Sequence, residues 1–75
     1  MTRTEVLRVA QQAADELGLG CRAHNASRLP EDEAVWCVLF TRGYGQVLVR
    51  TWHGATPEGI KDEIARQLLG RVRGV

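Results

Sequence analysis

Hydrophobic positions fall into runs with two different periods. Near the N-terminus, Val6, Ala10, Ala13, Ala14 and Leu17 recur at spacings of three and four, while Arg3, Arg8, Gln12, Asp15 and Glu16 lie largely off that face. Thr2 with Glu5 three residues later is a capping-box pattern, which starts a helix at about Arg3, and Gly18 is a natural stop. Toward the other end, Ile60, Ile64, Leu68 and Val72 recur every four residues with Ala65 and Leu69 beside them. Thr56-Pro57-Glu58 supplies that second helix with a cap, a proline in its first turn and an early acid. Arg66, Arg71 and Arg73 gather at its end, where the helix dipole favours cations, and Gly70 and Gly74 are expected to fray it.

Between the helices the period changes to that of strands. Val35 to Phe40 is apolar at every position, as in a central strand buried on both faces, and Gln46 to Trp52 is a more mixed neighbour. The glycines between them make a hairpin and admit two registers. A two-residue loop at Gly43-Tyr44 puts Trp36, Val38, Phe40, Val47, Val49 and Thr51 on one face. A three-residue loop, Gly43-Tyr44-Gly45, moves the second strand's side chains to the opposite faces and sets Trp36 across from Trp52, with Phe40, Leu48 and Arg50 on the same side. The first is preferred because it makes one face uninterruptedly apolar.

Cys21 to Ser27 alternates weakly, Cys21, Ala23 and Asn25 against Arg22, His24 and Ala26, and its position suits a short edge strand. Antiparallel pairing with the central strand could bring Cys21 opposite Cys37, though spacing alone does not make a disulfide. Ser27 to Glu33 reads as a loop whose acids, Glu31, Asp32 and Glu33, form a solvated rim. The whole of residues 1–75 is therefore expected to form one two-layer α+β domain in the order α-β-β-β-α. It would have a three-stranded antiparallel sheet with both helices on one face.

Two helices cover only one face, so large apolar groups are left over on the other. In the preferred register these are Val35, Cys37, Leu39, Leu48 and Trp52. Contiguous exposed apolar groups mark interaction sites, and tryptophan with arginine is a frequent interface pair. The candidate interaction residues are Leu39, Leu48, Arg50 and Trp52, or Trp36, Phe40, Leu48 and Trp52 in the other register. The competing reading is that the Ser27–Glu33 loop, Leu29 above all, folds over this face and buries it.

Composition adds mostly exclusions. Ten basic and nine acidic residues give a net charge of +1, so no global field points to nucleic acid or to a membrane. Lys61 is the sole lysine; the arginine excess suits carboxylate or phosphate recognition, but a GC-rich genome is the preferred explanation. No apolar run approaches the ~20 residues of a membrane span. Two cysteines without a signal-peptide core fit a cytoplasmic protein. Cys21 and His24, in Cys-x-x-His spacing, with Cys37 and His53 are ligand types that zinc accepts, but Cys37 lies in a buried strand and the second half lacks any paired spacing, so no metal or other cofactor is expected. No nucleophile elbow or triad motif is present, which argues against an enzyme.

The helix, three strands, helix order resembles that of the double-stranded-RNA-binding domain, over most of the chain but in topology only. That family carries a lysine-rich motif at the start of its second helix, to grip phosphates across a groove. The matching stretch here, Thr56-Pro57-Glu58-Gly59-Ile60-Lys61-Asp62-Glu63, is net acidic, and no RNA-contacting residue carries over. Trp52, Tyr44 and Arg50 on the sheet offer an alternative, a weak binder of single strands. The sequence thus leads to a small non-enzymatic module that dimerises or binds a protein through an apolar sheet face, with weak nucleic-acid binding as the alternative.

Overall fold

A computed structural model describes residues 1–51 and 55–73. The elements follow the expected order: α1 (Arg3–Glu16), β1 (Ala23–Arg28), β2 (Val35–Phe40), β3 (Gly45–Arg50) and α2 (Pro57–Arg73). The strands form one antiparallel sheet in the order β1-β2-β3. Both helices lie on the same face. The core they close contains Val6, Val9, Ala10, Ala13 and Ala14 of α1 and Ile60, Ile64 and Leu68 of α2. Facing them are Ala26, Trp36, Val38, Phe40, Val47 and Val49 of the sheet.

Each helix begins for the reason its sequence gives. The Thr2 hydroxyl accepts the Glu5 N–H at 3.2 Å while the Glu5 carboxylate accepts the Thr2 N–H at 3.0 Å, a reciprocal capping box. The Thr2 N–H first, and then the Thr2 hydroxyl, holds the Glu5 carboxyl below its ordinary pKa. In α2 the Thr56 hydroxyl accepts the Gly59 N–H at 3.1 Å. The first helix stops at Gly18, whose φ of +67° turns the Leu19 N–H back to the Ala14 carbonyl at 3.3 Å, while its own N–H reaches the Asp15 carbonyl at 3.0 Å.

The far end of α2 differs from expectation. The helix runs through Gly70 to Arg73 rather than fraying there, while Gly74 lies outside the described residues. Val72 is 42% and Leu69 39% exposed, whereas Ile60, Ile64 and Leu68 are at most 1% exposed. An every-fourth-residue row advances by about 40° per step on a helix of 3.6 residues per turn, so Val72 sits roughly 120° around from Ile60. The row begins on the core and ends in solvent.

The hairpin also corrects one detail. Val38 pairs with Val47 and Trp36 with Val49, so the turn is centred on Arg42-Gly43, one residue before the Gly43-Tyr44 loop expected. Tyr44 N–H reaches the Thr41 carbonyl at 3.4 Å, and Arg42 and Gly43 both have positive φ, +61° and +78°. This is the requirement of a type I′ turn, whose twist matches the flanking strands. Moving a two-residue turn by one residue shifts the pairing by two, so the faces survive: Trp36, Val38, Phe40, Val47 and Val49 share the helix side.

In β1 the expected alternation breaks at His24. Ala23 pairs with Phe40 but Asn25 pairs with Leu39, so two residues of β1 oppose one step of β2. The bulge lets Ala23 and Ala26, three apart, both face the helices. It also separates the cysteines. Cys37 pairs with Ser27, not Cys21, and the two thiols lie on opposite sides of the sheet, Cys21 in the core and Cys37 on the outer face.

Candidate functional site: the outer sheet face

The sheet face away from the helices is built in three rows across the strands. Asn25, Leu39 and Gln46 form one and Ser27, Cys37 and Leu48 the next. Leu29, Val35 and Arg50 complete it, with the Leu29 N–H donating to the Val35 carbonyl at 3.0 Å. Leu48 is 43% exposed, Leu39 and Cys37 are half-buried, and no element lies over this face among the described residues.

The loop before β2 covers one end only. Leu29, Asp32, Val35, Leu48 and Arg50 line a shallow cavity of about 350 Å³ there, and Val35 is 8% exposed. Asp32 fixes the loop: its carboxylate accepts the Ala34 N–H at 3.0 Å and pairs with Arg50 at 2.9 Å. The Ala34 hydrogen bond first, then Arg50, holds the Asp32 carboxyl below its ordinary pKa. Leu29 therefore reaches the rim of the face, as the covering-loop reading required, while Leu39 and Leu48 stay open beyond it.

The two open edges of the sheet are closed by helix side chains. On β1, Arg3 donates to the Ala26 carbonyl at 3.1 Å and to the Asn25 amide oxygen at 2.9 Å. Gln11 accepts the Ala23 N–H at 2.9 Å and donates to the Cys21 carbonyl at 3.2 Å. On β3, Gln67 and Arg71, one turn apart on α2, donate to the carbonyls of Leu48 and Gln46. An edge whose carbonyls are taken is a poor template for another strand. Association by strand addition is thereby hindered on both sides, and the flat face is what remains.

The candidate residues sort by face. Leu39, Leu48 and Arg50 come together on the outer face. Trp36 and Phe40, the candidates of the alternative register, are each 5% exposed and point into the core, because Trp36 pairs with Val49 on the helix side. The Arg28 guanidinium lies 5.1 Å from the Trp36 ring centroid and closes that end of the core. Trp52 lies outside the described residues, as does His53. The sequence pattern placed Cys37 on this face but gave Asp32 only a solvated rim. For Asp32 the available signal was Asp-x-Ala in a loop facing an arginine-bearing strand.

The groups considered for other chemistry are dispersed. Cys21, His24 and Cys37 lie in the core, at the exposed bulge and on the outer face, and no cluster of three metal-ligating side chains occurs among the described residues. Tyr44 packs against the core at the hairpin end, so no described aromatic ring stands on the outer face for a base to stack on. Lys61, where the RNA-binding family has its basic motif, is held by Glu16 at 3.0 Å and Glu58 at 3.4 Å. No helix among the described residues is long and apolar enough to cross a membrane. No family model, curated protein or solved structure matches the chain.

Proposed function

We propose that this chain is a small non-enzymatic protein-interaction module that dimerises, or binds a partner protein, through its outer sheet face. The observation that carries this reading is the uncovered patch of Leu39, Cys37 and Leu48, half-buried to exposed, on a sheet whose two edges are both capped by its own helices. The Asp32–Arg50 pair gives that apolar row a charged rim, the usual arrangement of an interface patch. A second copy of the chain is the occupant to test first, since the face is flat and a two-fold packing of sheets at about 10 Å would bury identical rows on both sides.

Size sets the expected strength. Three strands at about 4.8 Å spacing and six residues at about 3.3 Å each make a footprint of roughly 20 by 14 Å, on the order of 300 Å² per partner. That is well under the ~800 Å² per partner of a stable complex, so the association is transient and micromolar or weaker unless flanking residues join it.

Sedimentation velocity of the wild type and Leu48→Arg, from ten micromolar to one millimolar, reads this directly. The wild type should shift toward dimer with concentration while Leu48→Arg remains monomeric with an unchanged circular-dichroism spectrum. Cys37 supplies a second readout, because its thiol lies on the proposed interface and Cys21 does not. Its alkylation rate should fall as the dimer forms. A monomer at every concentration, with Cys37 equally reactive throughout, removes the dimer; an unchanged rate in a cell lysate as well removes the partner.

A further inference from the structure

The row of fourth residues that carries Val72 out of the core also lays an apolar stripe along the side of α2 away from Ile60. Ala65, Leu69 and Val72 stand at i, i+4 and i+7, the spacing at which a helix presents one line of side chains to a groove. Ala65 is half-buried and the other two are exposed. Leu69 and Val72, together with Leu48 on the outer sheet face, are the exposed large apolar side chains among the described residues. The two patches lie on opposite sides of the sheet, so neither can cover the other within one chain.

The patches match in shape. On β2 the outward residues Val35, Cys37 and Leu39 are all apolar, whereas Asn25, Ser27 and Gln46 flank them on the edge strands. With Leu48 beside it this strip spans two strands, about 10 Å, the diameter of one helix. A facing sheet would cover the polar flanks as well, and a buried amide or hydroxyl is costly unless it finds a partner. From Val35 to Leu39 the strip runs about 13 Å along the strand, against about 10.5 Å along the helix from Ala65 to Val72. The patches also match in charge. The strip ends at the loop of Glu31, Asp32 and Glu33, where Asp32 takes Arg50 and the two glutamates are exposed. The stripe ends in the opposite sign: Arg66 pairs with Glu63, and from Arg66 to Arg73 the sequence holds three arginines and no acid.

We infer that a second copy of the chain meets the outer face with its α2 stripe. Val72 then lies toward the shallow cavity beside Leu29 and Val35, Leu69 over the small Cys37, and the arginine end of the helix toward Glu31 and Glu33. This rests on the outer face being an interface, and it differs from a sheet-on-sheet pair in the surface that the second copy brings. A contact between unlike patches is heterologous. After the first contact one face and one stripe are still free, so association runs on past the dimer unless the rotation closes a ring.

The test is sedimentation velocity on the full chain with Leu48→Arg, which spoils the face, and Leu69→Glu, which spoils the stripe. Both positions are exposed, so both variants should keep the wild-type circular-dichroism spectrum and melt. The wild type should pass beyond dimer between ten micromolar and one millimolar. Each variant alone should stay monomeric, and their equimolar mixture should form a dimer and nothing larger, because one partner supplies the stripe and the other the face. If Leu69→Glu associates as the wild type does while Leu48→Arg does not, the face meets another face: the inference falls and the outer-face reading stands. If Leu48→Arg associates as the wild type does, stripe meets stripe and both fall. A mixture that stays monomeric would overturn the inference alone. A wild type monomeric at every concentration would overturn it too, and leave the face to a different protein.

Discussion

Gly70 and Gly43 have the same empty surroundings, and the same substitution should move stability in opposite directions. A methyl group added at either meets nothing within 4 Å, so neither change is decided by sterics. Gly70 lies inside α2, where alanine is favoured over glycine by about 0.5–1 kcal/mol because less backbone entropy is lost on folding. Gly43 has φ of +78°, a conformation that costs an alanine about 1 kcal/mol or more. Against a total of roughly 4–11 kcal/mol for 75 residues, either is measurable. At about 4–8 °C per kcal/mol, Gly70→Ala should raise the midpoint by roughly 2–8 °C and Gly43→Ala should lower it by a similar amount. Thermal melts followed by circular dichroism, with urea titrations to check that the slope is unchanged, give both numbers. No gain from Gly70→Ala would mean that the helix ends before residue 70 in solution. A neutral Gly43→Ala would mean that the turn is not centred on Arg42-Gly43.

Other consequences follow from single contacts. Ile64→Ala removes a fully buried side chain between sheet and helices and should cost about 2–5 kcal/mol, enough to leave much of the population unfolded at 37 °C on a melt. Gln67→Ala should cost about 1 kcal/mol for its hydrogen bond to Leu48 and, by opening the β3 edge, increase light scattering on heating; clear solutions would show that the cap does not guard the edge. Glu5 and Asp32 have lowered folded-state pKa values, so their contributions are present above their ordinary values of 4.5 and 3.8 and vanish as pH falls through the lowered ones. Glu5→Gln should therefore flatten the acid limb of a stability–pH curve, and an unchanged limb would refute the capping assignment. Lys61 is shifted upward by Glu16, so its contribution holds below its ordinary value of 10.5 and fades as pH rises past it, an alkaline loss that Lys61→Met should abolish. Burial in the core pushes the Cys21 thiol up. A thiol titration of the native protein should show one fast group, lost in Cys37→Ser, and two fast groups would place Cys21 elsewhere.

What the residue pattern settled by itself is everything that depends on near neighbours. The caps at Thr2 and Thr56 and the stop at Gly18 rest on contacts within four residues and stand where the sequence put them, and of the α1 face read from it Val6, Ala10, Ala13 and Ala14 are buried, with Val9 added and Leu17 at its margin. The face parity of the hairpin was legible too, because burying Trp36, Val38, Phe40, Val47 and Val49 together dominates any choice of turn. Tertiary structure decided the rest. The turn settled on Arg42-Gly43 because two positive φ angles match the twist of the paired strands, a property of the pair and not of either strand. The bulge at His24 arose where β1 had to present both Ala23 and Ala26 to the helices, which no period of two can do. Val72 left the core because a row of fourth residues winds around its helix while the sheet beneath does not. The candidate interface depends most on such distances. Asp32 meets Arg50 only after the loop and a strand distant from it in the chain have packed.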